Sequence, residues 1–258
     1  MRINHNLSAV NTYRQYSANT VKSTKSMEKL SSGLRINRAA DDAAGLSISE
    51  KMRSQIRGLS QAVKNTQDGV SYIQTAEGAL NEVSDMLSRM KELTVQSANG
   101  TYSTDDTTNI GKELTALSTA IKGVLSDTKF NGKAVFTAST DIAYGEDGST
   151  KLTIAAAGFK AADVPDSTAS ATDIDDAITA VNTDRATYGA QQNQLEHVMN
   201  NLSTTSENLQ AAESRIRDVD MANEMMEFTK NNILVQAAQS MLSQANQQPQ
   251  AVLQLLRG

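Results

Sequence analysis

MRSQIRGLSQAVKNTQDGVSYIQTAEGALNEVSDMLSRMKEL (Met52–Leu93) carries the pattern on which the fold turns. Met52, Ile56, Leu59, Val63, Thr66, Val70, Ile73, Glu77 and Leu80 step by fours and threes, and Val83, Leu87, Met90 and Leu93 continue the stripe. This spacing marks one face of a helix, and a sustained seven-residue repeat implies left-handed supercoiling against partner helices. No proline interrupts it, so one helix is predicted from Leu46 to Ala98, a rod of roughly 80 Å at about 1.5 Å per residue. Asn99-Gly100 supplies the stop, and Ser103, Thr104, Asp105 and Asp106 offer caps for a second helix. That helix places Ile110, Leu114, Leu117, Ile121 and Val124 on one face.

Upstream, Ile3, Leu7, Val10, Tyr13, Val21, Met27, Leu30 and Leu34 fall mostly at three- and four-residue steps, a thin amphipathic seam. Ser31–Gly33 breaks it, and Leu34–Ala44 reads as an irregular linker. Downstream, Phe130-Asn131-Gly132 is a turn, and the β-branched stretches on either side of Gly145–Ser149 read as a β-hairpin. An exposed loop around Pro165 follows, and helix resumes near Asp173 and holds its spacing to Val219. The last segment repeats every seven residues at Met221, Phe228, Val235, Leu242, Pro249 and Leu256. Met225 and Leu253 share the companion row with Asn232, Gln239 and Asn246. Its other faces are mostly amides and Ser, which suits a helix surrounded by helices or lining water, and Pro249 is expected to kink it or end its first part. The predicted fold is mainly α. Long antiparallel helices from the N- and C-terminal arms form a coiled coil, with a small β-hairpin region in the middle.

Composition narrows the function. Hydrophobic residues make up 39% of the 258 residues but aromatics only 4%, so Ala, Leu, Ile, Val and Met must do the packing, as suits helices meeting along narrow seams. The absence of cysteine excludes disulfides and thiol chemistry, and His5 and His197 are too few to suggest a histidine metal centre. A net charge of −5 argues against nucleic-acid binding, and no apolar run approaches the ~20 residues of a membrane span. Met1–Ser17 has no continuous apolar stretch like a signal peptide. Residues 1–38 hold seven Lys/Arg against Glu28 alone, whereas 137–186 hold nine Asp/Glu against three Lys/Arg. The ends thus suit burial together and the acidic middle suits water. No P-loop, G-x-S-x-G, G-x-G-x-x-G or H-E-x-x-H occurs, and the acidic residues of 141–176 lack EF-hand spacing, so no enzyme, cofactor or metal is expected.

SSGLRINRAADDAAGLSISEKMRSQIRGL (Ser31–Leu59), QSANGTYS (Gln96–Ser103), KFNG (Lys129–Gly132), AESRIRDVDMANE (Ala212–Glu224) and ANQQPQAVLQLLR (Ala245–Arg257) follow the opening MRINHNLSAVNTYR in order. On these motifs the chain resembles the bacterial flagellins over about residues 1–136 and 177–258. Residues 137–176, where many flagellins hold large outer domains, carry no family motif, so the chain looks like a short form.

The resemblance implies a structural subunit that self-assembles into the helical flagellar filament for motility. Residues 1–40 and 220–258 would form an inner terminal coiled-coil domain, 41–136 and 177–219 a helical rod, and 137–176 a short exposed hairpin segment. The implied partners are other copies of the chain, a flagellar export chaperone, hook-junction and filament-cap proteins, and vertebrate Toll-like receptor five. The implied location is extracellular, in the filament, reached by type III export. Arg89, Leu93 and Glu113 match positions of receptor contact, and Arg35, Arg38, Asp41 and Asp42 match the joint between inner and outer layers. Ile3, Leu7, Val10, Met225, Phe228, Val235, Leu242, Leu253 and Leu256 form the candidate seam for assembly and chaperone docking. The alternatives are a hook–filament junction protein of similar terminal architecture, and a secreted adhesin or immune ligand that never polymerises.

Overall fold

The computed structural model of the chain describes residues 6–255, with side chains described as far as Gln247. The helices are α1 (Leu7–Ser32), α2 (Ala43–Ser97), α3 (Thr104–Asp127), α4 (Ala171–Arg217) and α5 (Met221–Leu255). Between α3 and α4 lie four short strands, β1 (Lys129–Phe130), β2 (Lys133–Ala134), β3 (Thr140–Ala143) and β4 (Lys151–Ile154). The mainly helical fold with a small antiparallel strand region is therefore as the spacing predicts.

Local chemistry sets the boundaries. Asn6 caps α1 by accepting from the Ala9 N–H at 3.1 Å, and Gly33 closes it in the left-handed region (φ 72°) while its own N–H donates to the Lys29 carbonyl. Asp42 caps α2 by accepting from the Gly45 N–H at 2.9 Å. Ser103 and Asp106 form a capping box at the head of α3, and Ser170 and Asp173 do the same before α4. Asp220 accepts from the Ala222 and Asn223 N–H groups at the start of α5. α5 does not end at Pro249; its helical assignment runs on to Leu255.

The chain divides into two compact units. One contains residues 54–208. Here α2 buries Leu59, Ala62, Thr66, Ile73, Ala76, Leu80, Val83, Leu87 and Met90 at steps of three and four. Between Ala62 and Thr66 on one side and Ile73 and Ala76 on the other, Gly69 keeps the row, with Ile142 and Leu195 pressed against it. Ile110, Leu114, Ile121 and Leu125 of α3 and Ile174, Val181, Tyr188 and Leu195 of α4 complete one continuous core. Phe136, Ile154 and Phe159 from the strand region join that core, so the middle segment is packed rather than merely exposed. Tyr72 anchors it by donating to the Val135 carbonyl at 3.0 Å and meeting Phe130 edge to face. The β3–β4 hairpin lies on α2, where a Cβ at Gly58 would sit 2.3 Å from the Glu146 carbonyl oxygen, so only glycine fits. Along the exposed faces, Thr75, Ser88, Thr115, Thr119, Thr183 and Thr187 each donate their hydroxyl to the carbonyl four residues back.

The other unit contains residues 1–53 and 209–258. α1 and α5 lie antiparallel in it, with Asn6 donating to the Ala245 carbonyl at one end and Lys29 3.7 Å from Glu224 at the other.

Candidate functional site

The terminal helices meet along a small and polar row of α1, and the large apolar residues of the α1 seam turn outward. The least exposed row of α1 is Ala9, Thr12, Tyr16, Asn19, Ser23 and Ser26. Opposite it, α5 presents Phe228, Asn231, Val235, Ala238, Leu242 and Ala245. Leu7, Val10, Tyr13, Val21 and Met27 lie on the far side of α1, with Val10 56% and Tyr13 61% exposed. On α5 the repeat at Phe228, Val235 and Leu242 is partly buried as predicted, but the companion row is Asn231, Ala238 and Ala245. Met225 is half exposed, one residue out of that row, and Ile233, Leu234 and Met241 also face outward. Small side chains let two helices approach closely, so the row with the least bulk becomes the contact and the bulky row is left outside. Ile3, Leu253 and Leu256 lie outside the residues whose side chains are described.

The outward face of α1 forms a groove lined by Val10, Tyr13, Val21, Arg14, Lys22 and Lys25. It combines apolar side chains with cations, and no acid precedes Glu28. Such a face is incomplete as a surface in water.

A second cluster surrounds the segment between α1 and α2. Arg35 donates to the Ile216 carbonyl through Nη2 at 2.6 Å and Nε at 3.2 Å, and its backbone N–H donates to the Arg217 carbonyl. Leu34 and Asp218 form an isolated antiparallel bridge. Arg38 Nε lies 2.9 Å from Glu28 Oε1, while Asp41 accepts from the backbone N–H groups of Arg38 and Asn37. The Arg38 N–H does most to hold the Asp41 carboxyl below the ordinary aspartate range; burial opposes it, and Asn37, Lys25 and Lys29 assist. Asp42 has the different task of capping α2. The side chains of Arg35, Asp41 and Asp42 thus bind backbone groups, whereas that of Arg38 pairs with Glu28.

Three features of this cluster had no signal in local spacing. Ile36 is buried within the otherwise polar linker. Arg217 pairs with Glu50 at 2.5 Å and Arg53 with Glu213 at 3.0 Å, across more than 150 residues of sequence. A Cβ at Gly45 would fall 2.8 Å from Ile36 Cδ1 and 2.5 Å from the Asp42 carboxylate, so a larger residue there must displace those two side chains.

In the third cluster, Arg89 lies 3.0 Å from Glu92 and 3.2 Å from Glu113, joining α2 to α3. The hydrogen bonds that Arg89 donates to Glu92 and then to Glu113 push the guanidinium pKa up. Arg89 and Glu113 are about half exposed, whereas Leu93 is only 2% exposed and belongs to the core beneath them. Of the three, then, the surface offers a charged pair on an apolar support. Among the described residues no group of three or more His, Asp or Glu could hold a metal ion, and no helix is long and apolar enough to cross a membrane.

Comparison with known proteins places these features. The family model for the bacterial flagellin N-terminal helical region matches residues 3–141, and that for the C-terminal helical region matches 171–256. A flagellin of Halalkalibacterium halodurans is 54% identical, and one of Bacillus subtilis 50% identical, each over the full length of both chains. A flagellar filament 33 kDa core protein of Treponema phagedenis is 46% identical, again over the whole of both chains.

Proposed function

Since the chain belongs to the bacterial flagellin family and is a structural subunit of the extracellular flagellar filament, we propose that its outward-facing terminal residues are the polymerisation surface. The observation that carries this reading is the reversed packing of α1 and α5: Val10, Tyr13 and Val21 on one helix and Met225, Ile233 and Met241 on the other are left to solvent. Burying such side chains is worth about 1.5–3 kcal/mol each, a gain available only from a second molecule. In this reading residues 1–40 with 220–258 form an inner coiled-coil layer, 41–136 with 177–219 a rod, and 137–176 a short hairpin segment whose Ile154 and Phe159 pack into the core. Arg35, Arg38, Asp41 and Asp42 act as the joint between layers, Arg35, Asp41 and Asp42 by fixing the backbone on which both depend and Arg38 by pairing with Glu28.

The C-terminal helix is proposed to dock the export chaperone before secretion by the flagellar type III route, through Val219, Met225, Phe228, Val235 and Leu242, of which Phe228, Val235 and Leu242 would first part from α1. Hook-junction and filament-cap proteins would meet the outward-facing terminal surface at the filament's two ends. Arg89 and Glu113 are proposed as the contact for Toll-like receptor five, with Leu93 supporting them from the core. The role is structural throughout, and catalysis has no part in it.

Hydrogen exchange on the monomer and on the filament tests the polymerisation surface. Amides of α1 and α5 should exchange readily in the monomer and become protected in the polymer. Equal, strong protection of both helices in the two states would overturn the reading.

A further inference from the structure

The chain contains two exposed Asn-Gly pairs, Asn99-Gly100 and Asn131-Gly132, and they are held very differently. An asparagine followed by glycine can lose its side-chain amide without any enzyme. The glycine nitrogen gives up its proton and attacks the asparagine Cγ. An N–Cγ bond forms, the Cγ–Nδ2 bond breaks, and the amide departs as ammonia with a proton. Water then opens the resulting five-membered imide at either carbonyl, leaving aspartate or isoaspartate. The sequence favours this equally at both pairs, because glycine puts no side chain in the way of the attack.

At Asn99 the backbone helps. The pair lies past the end of α2, in the connection to α3. The Thr101 N–H donates to Asn99 Oδ1 at 3.2 Å, so the carbonyl under attack is already polarised at the oxygen where negative charge develops. The same bond curls the side chain back over the following peptide, where the Gly100 nitrogen lies. Open space surrounds Gly100, and among the described residues its N–H makes no hydrogen bond that would hold it away.

At Asn131 the backbone opposes it. Asn131 and Gly132 are the two central residues of the tight β1–β2 turn, both left-handed, with φ 48° and 79°. Pairing of Lys129 with Ala134 and of Phe130 with Lys133 fixes that turn. The Val135 N–H donating to the Thr128 carbonyl, and the Tyr72 ring against Phe130, clamp its base. No hydrogen bond polarises the Asn131 amide among those described. Ring closure requires rotation of the asparagine backbone, and here that means opening the hairpin first.

The geometry points to Asn99 as a site of spontaneous deamidation in the folded subunit, with Asn131 protected by its turn. The product carries a new negative charge two residues beyond the C-terminus of α2, where the helix dipole already concentrates negative potential. Isoaspartate also lengthens the main chain by one carbon, displacing the Asn99 carbonyl that accepts the Tyr102 N–H at 3.3 Å. The subunit thereby gains a slow, age-dependent change at the α2–α3 connection.

The test is peptide mapping of the full-length protein held at mildly alkaline pH, comparing folded chain with chain held in guanidinium. In the folded protein conversion at Asn99 should outrun that at Asn131 by about tenfold, since a pinned hairpin must open locally before it reacts. In guanidinium the two rates should converge. Asn131 reacting as fast as Asn99 in the folded chain would overturn the inference, and so would an inert Asn99 in the folded chain alongside a reactive one in guanidinium. Gly100→Ala, which hinders the attacking nitrogen, should slow conversion at position 99 and leave position 131 unchanged; conversion at 99 that ignores this change would also overturn it.

Discussion

The antiparallel α1–α5 pair and the body of residues 54–208 contain the same kinds of residue and pack them in opposite senses. In the body, Ile73, Leu80, Val83, Leu87 and Met90 are wholly buried, and Thr75, Ser88 and Thr115 face water. In the terminal pair, Ser23, Ser26 and Asn231 turn inward while Val10, Tyr13 and Met241 turn out. The first arrangement is stable alone. The second leaves large apolar side chains exposed, on the face proposed above for polymerisation. If that proposal holds, stability and assembly belong to different parts of one chain, and substitutions should separate them.

The sharpest way to break the contrast is Leu87→Ala in the body. It should cost about 2–5 kcal/mol and lower Tm by several degrees, as read by calorimetry. A loss below about 1 kcal/mol would mean the body is no better packed than the ends. Next is Arg217→Met, which removes the ion pair to Glu50. With Arg217 nearly buried and Glu50 half exposed, about 1–2 kcal/mol is expected in chemical denaturation, felt in the terminal unit. Val21→Ser should change monomer stability by no more than about 0.5 kcal/mol. It should nonetheless raise the critical concentration for polymerisation roughly 5–30-fold, about 1–2 kcal/mol of lost burial. Sedimentation of filaments at graded concentrations reads this directly, and an unchanged critical concentration would sink the assignment of that face.

Smaller effects sharpen the picture. Ser103→Ala removes the cap of α3 and should cost about 1 kcal/mol. Hydrogen bonds from the Ser103 hydroxyl and backbone lower the Asp106 pKa, so its contribution is present above the ordinary value of about 3.9 and lost as pH falls through the folded value. Acid titration of the variant should therefore show less pH dependence than the parent. Smallest is Tyr188→Phe. The Tyr188 hydroxyl is buried without a partner, so its removal should change stability little or raise it slightly. Burial, aided by Tyr72 and Asp184, raises the phenol pKa, so the folded state is favoured below the ordinary tyrosine value of about 10 and loses stability as pH climbs beyond it. The parent should weaken in alkali more than the variant.

The long helices were legible in spacing such as that of Met52–Leu93, and the cap of α3 in Ser103–Asp106, whereas the caps at Asn6, Asp42, Ser170 and Asp220 were not singled out. What escaped was the second row of each seam. In α2 the partners of Leu59, Thr66 and Ile73 are Ala62, Gly69 and Ala76, not Val63, Val70 and Glu77. In α5 they are Asn231, Ala238 and Ala245, not Asn232 and Gln239. Counting large side chains finds the bulky row, while close packing selects the small one beside it. For α1 the bulky row is the exposed one, and the small row beside it, Ala9, Thr12, Asn19, Ser23 and Ser26, makes the contact within the chain. Arg89 and Glu113 were found by resemblance and do meet, but the depth of Leu93 depends on α3 and had no local sign. The Arg217–Glu50 pair joins residues 167 positions apart, beyond any periodicity.

The hydroxyls that fold back onto their own helices have one more consequence. Thr75, Thr119 and Thr187 have already committed their one hydroxyl proton within a single turn, so stripping water from them at a contact leaves no donor unpaired. They are also short, with few rotamers to freeze, unlike the Lys and Glu of an ordinary helix surface. Helix faces coated this way are inexpensive to bring against another surface.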